Sequence, residues 1–288
     1  MKNYRVYLAT FAAAVLLTLS CKKDDATPTD DASVEKTAKD VSYGDNSAQK
    51  LDIYLPAGRT DSATKIMVLV HGGAWTSGDK TELDSAVLFL RPQLSDYAIF
   101  NINYRLAALP ATNLWPAPVN DINSAIDYII SKGAEYHINT NKIVLIGASA
   151  GAHLSLLHAY NYNSKGNVKA VVDLFGPTDI TALANSDIYY AQLLSVWLGG
   201  TPATAPANYV AASPIQHVTA QSPPTIIFHG TADDVVPISQ SVALKAELDS
   251  KGVINDYKEY PGEKHGWTGS NLLDTYNRAI AFIKKNVQ

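Results

Sequence analysis

Residues 142–156 read KIVLIGASAGAHLSL, and this stretch leaves the chain little choice of fold. Ile143, Val144, Leu145 and Ile146 form an unbroken apolar run, the pattern of a strand covered on both faces, and Ala150 onward reads as a helix. Between them lies Gly147-Ala148-Ser149-Ala150-Gly151, with Gly-X-Ser-X-Gly spacing. A serine on such a strained strand-to-helix turn stands clear of the sheet, while side chains two residues to either side would collide with neighbouring backbone. The helix N-terminus beneath it favours developing negative charge. Glycine and serine also close strands and cap helices with no chemical role, so this pattern alone does not make an enzyme.

The rest of the chain supplies a scaffold for that turn. Strand patterns are expected at 40–43, 51–55, 65–70, 98–104, 170–175, 225–228 and 256–260, and helices at 85–94, 119–131, 242–251 and 272–285. Such alternation predicts an α/β fold with a mostly parallel sheet of about eight strands and helices on both faces. Sites in sheets of this kind lie outside the carboxyl ends of the strands. Some 250 residues after the N-terminal region suit one large domain, placed at 40–288.

Three loops at that end carry further chemistry. His71-Gly72-Gly73-Ala74-Trp75 follows the third strand, and its glycines can turn backbone N–H groups toward a point above Ser149. With the N–H of Ala150, those of Gly73 and Ala74 would form an oxyanion hole, and that of Trp75 is a further candidate. The strand at 225–228 runs into His229-Gly230-Thr231-Ala232-Asp233-Asp234, where Asp233, or Asp234 as the second choice, can hold an imidazole in its working tautomer. The last strand is followed by Pro261-Gly262-Glu263-Lys264-His265-Gly266-Trp267, which makes His265 the candidate base. The chain order Ser149, Asp233, His265 is the one that a nucleophile on such a strand-to-helix turn requires.

These motifs, together with NYRL at 103–106, resemble the hormone-sensitive-lipase-like carboxylesterase group of α/β-hydrolases, in particular its small secreted acetyl and feruloyl esterases. The resemblance runs from about residue 41 to the end. It implies the α/β-hydrolase fold, a serine esterase activity, and a nucleophile, acid and base at Ser149, Asp233 and His265. Ala74 stands where many lipolytic relatives carry a third glycine, so their preference for bulky alcohols does not transfer. No metal or cofactor is called for, and no cluster of side chains shows metal-ligand spacing. With a formal net charge of −4 and no basic patch, the chain has no electrostatic footprint for nucleic acid.

The first residues read as an address. Lys2 and Arg5 precede an apolar segment at 6–19, too short to span a membrane comfortably, and then Ser20-Cys21. This resembles a bacterial lipoprotein signal at 1–21, with Cys21 lipidated and the protein anchored in the outer membrane. Lys22-Lys23-Asp24-Asp25 looks like a signal for display at the cell surface. Residues 22–39 are expected to be a flexible tether.

The four tryptophans, Trp75, Trp115, Trp197 and Trp267, all fall at the expected catalytic end and are candidate stacking surfaces for a sugar or phenolic ring. The expected substrate is a small ester or an esterified plant polysaccharide. Two alternatives stand beside this reading: a dipeptidyl-peptidase-like serine peptidase, and a surface binding protein that uses the same fold without catalysis.

Overall fold

The computed structural model describes residues 31–288. The expected signal peptide at 1–21, its lipidation residue Cys21 and the first part of the tether lie outside the described residues.

Eight strands form one sheet: β1 (Lys36–Ser42), β2 (Lys50–Leu55), β3 (Lys65–Val70), β4 (Tyr97–Ile102), β5 (Ile143–Ala148), β6 (Val168–Leu174), β7 (Thr225–Gly230) and β8 (Asn255–Tyr260). Their order is β1-β2-β4-β3-β5-β6-β7-β8, antiparallel at β1/β2 and β2/β4 and parallel from β4 to β8. This is the α/β-hydrolase arrangement that the sequence predicts. The helices are α1 (Asp84–Gln93), α2 (Ala117–Ser131), α3 (Gly133–Tyr136), α4 (Ala150–Leu157), α5 (Ile180–Ala184), α6 (Ile188–Trp197), α7 (Pro206–Ala212), α8 (Ser239–Ser250) and α9 (Gly269–Asn286).

Alternate strand residues point to opposite faces and build two cores. Val68, Leu145, Val171 and Ile227 meet Ile122 of α2, Leu154 of α4 and Leu244 of α8. Met67, Val144, Val172 and Ile226 meet Val87 and Leu90 of α1 and Ile280 and Ile283 of α9 on the other side. Burial on both faces explains why these strands read as continuous apolar runs.

The boundary expected at residue 40 needs correction. β1 already begins at Lys36. Upstream of it, the carbonyls of Asp31 and Val34 accept hydrogen bonds from the guanidinium of Arg59, which is buried. Residues 31–39 therefore belong to the folded domain and not to a tether. An edge strand that alternates half-buried and exposed residues gives no apolar run for a sequence reading to find.

Candidate active site

The turn between β5 and α4 has the predicted strain. Ser149 sits at φ 54° and ψ −121°, a conformation that L residues rarely adopt. A Cβ at Gly147 would lie 2.4 Å from the carbonyl oxygen of Gly151, and one at Gly151 would lie 2.1 Å from that of Val70. Both glycines are thus required by close backbone approach, which is the physical content of the spacing. The Ser149 N–H donates to the Leu174 carbonyl at 2.8 Å, fixing the turn to the neighbouring strand.

The structure brings Ser149, His265 and Asp233 together. The hydroxyl of Ser149 donates to Nε2 of His265 at 2.9 Å, and Nδ1–H of His265 donates to Oδ2 of Asp233 at 2.7 Å. Asp233 is the better placed of the two aspartates. Its other oxygen, Oδ1, accepts from the N–H groups of Val235 and Val236 at 2.8 and 2.9 Å. Asp234 is exposed and pairs with Lys264 at 3.1 Å.

Behind Asp233 stands His229, fully buried and not singled out for a role by the sequence reading. Its Nδ1 accepts from the Ser241 hydroxyl at 2.7 Å, so Nε2 carries the proton, shared between the Val236 carbonyl at 2.9 Å and Oδ2 of Asp233 at 3.1 Å. Burial alone would raise the pKa of Asp233. Hydrogen bonds from His229, His265 and the Val235 N–H outweigh it and hold the carboxyl well below the usual carboxylate range. Asp233 is therefore ionised and aimed at His265. The only sequence signal for His229 is its position four residues before Asp233 at the end of a buried strand.

The candidate oxyanion loop turns through three successive positive φ values, 105° at Gly73, 49° at Ala74 and 61° at Trp75. Tyr104 braces it, with its hydroxyl 3.1 Å from the His71 carbonyl, and Arg105 is anchored next door to the buried carboxylate of Asp121. The N–H groups of Gly73, Ala74 and Ala150 make no hydrogen bond among the described residues. All three residues line a cleft of about 470 Å³ with Ser149 and His265.

Its walls are Leu83, Phe175, Pro177, Tyr190 and Val235. Phe175 stands edge-on to the His265 ring at 4.6 Å. Tyr190, on α6, is buried except for 8 % of its surface, and its hydroxyl has no partner among the described residues. Burial, aided by the nearby charges of Tyr189 and Asp233, pushes its pKa up to about 12. It remains a neutral donor facing the cleft.

The tryptophans do something other than expected. Trp75 and Trp197 are each 1 % exposed and stack on one another at 4.5 Å. The indole N–H of Trp75 donates to Nδ1 of His153, whose Nε2–H donates to the Ala212 carbonyl at 2.7 Å. The loop at 73–75 is tied to α4, α6 and α7 by this network, and Trp75 reaches the cleft only through the 1 % of its surface that stays exposed. Trp115 packs edge-on against Trp197 at 5.5 Å, and Trp267 spends its N–H on Thr275 at 2.8 Å. Neither of these two lines the cleft. Burial removes Trp75 and Trp197 from the four expected stacking surfaces, because large rings are buried wherever packing accepts them, while Trp115 and Trp267 stand half-buried outside the cleft.

Comparison with known proteins places this arrangement. The BD-FAE family model matches residues 51–248. Esterase LipC of Mycobacterium tuberculosis is 31% identical over 252 residues, 81% of this chain and 60% of LipC. The isoprenylcysteine alpha-carbonyl methylesterase ICME of Arabidopsis thaliana is 25% identical over 248 residues, 80% of this chain and 57% of that protein. The chain thus spans less than two thirds of the length of these relatives. Among solved structures, a truncated carbohydrate esterase from gut microbiota superposes with a TM-score of 0.72 at 28% identity, covering 89% of this chain and 98% of that one. A bifunctional GH43-CE protein of Bacteroides eggerthii gives 0.73 at 27% identity, over 88% of this chain and 35% of that one.

Proposed function

This chain belongs to the BD-FAE family of α/β-hydrolases, and on that premise we propose that it is a serine carboxylesterase acting on short-chain or aromatic esters of plant polysaccharide, acetyl or feruloyl groups above all. The observation that carries the reading is the unbroken hydrogen-bonded line from Ser149 through His265 to an ionised, buried Asp233, beside three unengaged N–H groups in one cleft.

The chemistry follows from that line. His265 Nε2 takes the proton of Ser149 as the hydroxyl oxygen attacks the ester carbonyl, and the charge of Asp233 stabilises the imidazolium. The N–H groups of Gly73, Ala74 and Ala150 receive the oxyanion, each donor being worth about 3 kcal/mol in such sites. His265 then protonates the departing alcohol, the acyl-enzyme forms, and water repeats the sequence to free the acid.

The likeness to carbohydrate esterases supports a sugar as the alcohol, and the unpartnered Tyr190 hydroxyl is suited to a substrate oxygen. The lipoprotein reading of residues 1–21 completes the proposal with attachment to the outer membrane through Cys21.

The test is a panel of p-nitrophenyl acetate, butyrate and octanoate, methyl ferulate, acetylated xylan and an aminoacyl-prolyl amide, with Ser149→Ala beside wild type. Activity on the acetyl or feruloyl substrates that vanishes in Ser149→Ala is the expected result. Cleavage of the amide alone would transfer the assignment to a peptidase, and a silent panel with folded protein would leave a binding protein.

A further inference from the structure

A second pocket, of about 300 Å³, lies at the far end of the sheet from Ser149 and plays no part in the proposed reaction. It is built where α4 ends in a π-helical turn, His158–Tyr162, and β6 begins at Val168. The nine residues from Ser149 to His158 run along the helix for about 14 Å. π-helical turns are uncommon and often mark functional positions.

His158 is 6 % exposed. Its Nδ1–H donates to Oδ1 of Asn123 at 2.7 Å, which leaves the lone pair of Nε2 as the ring's other polar group. That nitrogen has no partner among the described residues and faces the pocket. Burial pushes the pKa of His158 down to about 4, so the ring is a neutral acceptor at ordinary pH. The ring is nine-tenths buried, yet this acceptor stays open to the pocket, where a ligand hydroxyl can take the place of water.

The surroundings narrow the ligand class. Tyr162 is 40 % exposed at the rim, its ring near-parallel to that of His158 at 22° with the centroids 6.4 Å apart. Asn163 is consumed in holding the rim, its side chain bonded both to the N–H and to the carbonyl of Val168 at 3.0 and 3.1 Å. The charged lining residues are Asp127 and Lys165, one of each sign, so the pocket has no net formal charge with which to select an ion. No group of three or more metal-ligating side chains occurs among the described residues.

We propose that this pocket is a non-catalytic binding site for a neutral sugar unit, whose ring rests on Tyr162 and whose hydroxyls donate to His158 Nε2 and to the Asp127 carboxylate. It goes beyond the esterase reading and does not depend on it. In a chain acting on polysaccharide, such a site would hold the polymer away from the cleft and raise the local concentration of substrate.

The test is calorimetric titration of the full chain with xylohexaose, cellohexaose and mannohexaose, none of which carries an ester. It is repeated after covalent phosphonylation of Ser149, which fills the cleft. The expected result is saturable binding of at least one oligosaccharide that survives phosphonylation and weakens about tenfold in Tyr162→Ala, an exposed position tolerant of truncation. Asp127→Asn should also weaken it, while hydrolysis of p-nitrophenyl acetate stays at the wild-type rate in both variants. Absence of binding to all three sugars, binding equal in Tyr162→Ala, or loss of binding on phosphonylation would each overturn the proposal. Displacement of the sugar by inorganic phosphate would overturn it too, by showing an ion site. Failure here with an active esterase leaves the catalytic reading intact, and the converse also holds.

Discussion

The carboxylate of Asp233 is surrounded by four donors, the imidazoles of His229 and His265 and the N–H groups of Val235 and Val236, and each favours its ionised form. Its neighbour Asp234 faces water and Lys264. The two residues are therefore expected to answer mutation in different ways. Asp233→Asn presents an amide where His265 needs an acceptor, which disfavours the tautomer that leaves Nε2 free, and kcat should fall by about 10⁴ with KM little changed. Asp234→Asn loses only an exposed ion pair and should alter kcat by no more than about twofold. Steady-state kinetics on p-nitrophenyl acetate reads both, and a large loss at Asp234 with a small one at Asp233 would exchange their roles. From sequence alone Asp233 could be preferred but Asp234 not dismissed, because both lie in one turn after one strand. What separates them is His229, a buried side chain whose contact with the acid exists only once β7 and its loop have folded.

At the scale of the element, the inner strands β3 to β7 and the elbow were legible because burial on both faces writes itself as an apolar run. β1 was legible only from residue 40, since an edge strand has no such constraint, and the burial of Trp75 and Trp197 was missed because composition reports that a ring is large and not which way it points. One element carries an anomaly that composition also hides. Near the end of β6, Asp173 is fully buried, with Oδ1 accepting from the Gly176 N–H at 2.8 Å and Oδ2 without a partner among the described residues. Burial pushes its pKa up to about 7, against the opposing pull of the Gly176 N–H and His229. In the unfolded chain the same group titrates near about 3.9. Below that pH both states hold the proton and stability is greatest. As pH rises toward 7 the unfolded state ionises while the folded state does not, and stability is lost. Between pH 5 and pH 8 this one group should cost the wild type on the order of 3 kcal/mol relative to Asp173→Asn, which does not titrate. Urea denaturation of both proteins at the two pH values measures it, and parallel changes in the two would show that the carboxyl ionises in the fold without penalty.

For the molecule as a whole, the question is where the domain begins, and the buried cation of Arg59 answers it. Its guanidinium donates to the carbonyls of Asp31 and Val34, as well as to those of Pro56 and Tyr136, while the backbone N–H groups of Gly58 and Arg59 both donate to the carbonyl of Ala32. Residues 31–39 thus satisfy donors on the turn that follows β2, and β1 covers the β2 edge with an antiparallel ladder. A chain that starts at Asp40 would leave these donors to compete for water at a partly closed surface, each buried unpaired donor costing about 1–3 kcal/mol before solvent recovers some of it. It would also open an edge that invites association. Compared with a chain that starts at Asp31, it should lose on the order of 4 kcal/mol, which for a domain of this size lowers Tm by about 10 °C. Calorimetry of the two truncations decides this, and equal Tm values would return residues 31–39 to the tether. Because β1 lies at the sheet edge opposite β7 and β8, which carry Asp233 and His265 at their ends, esterase activity per folded molecule should be the same in both. A loss of activity larger than the loss of folded protein would instead mean that the β1 edge shapes the cleft.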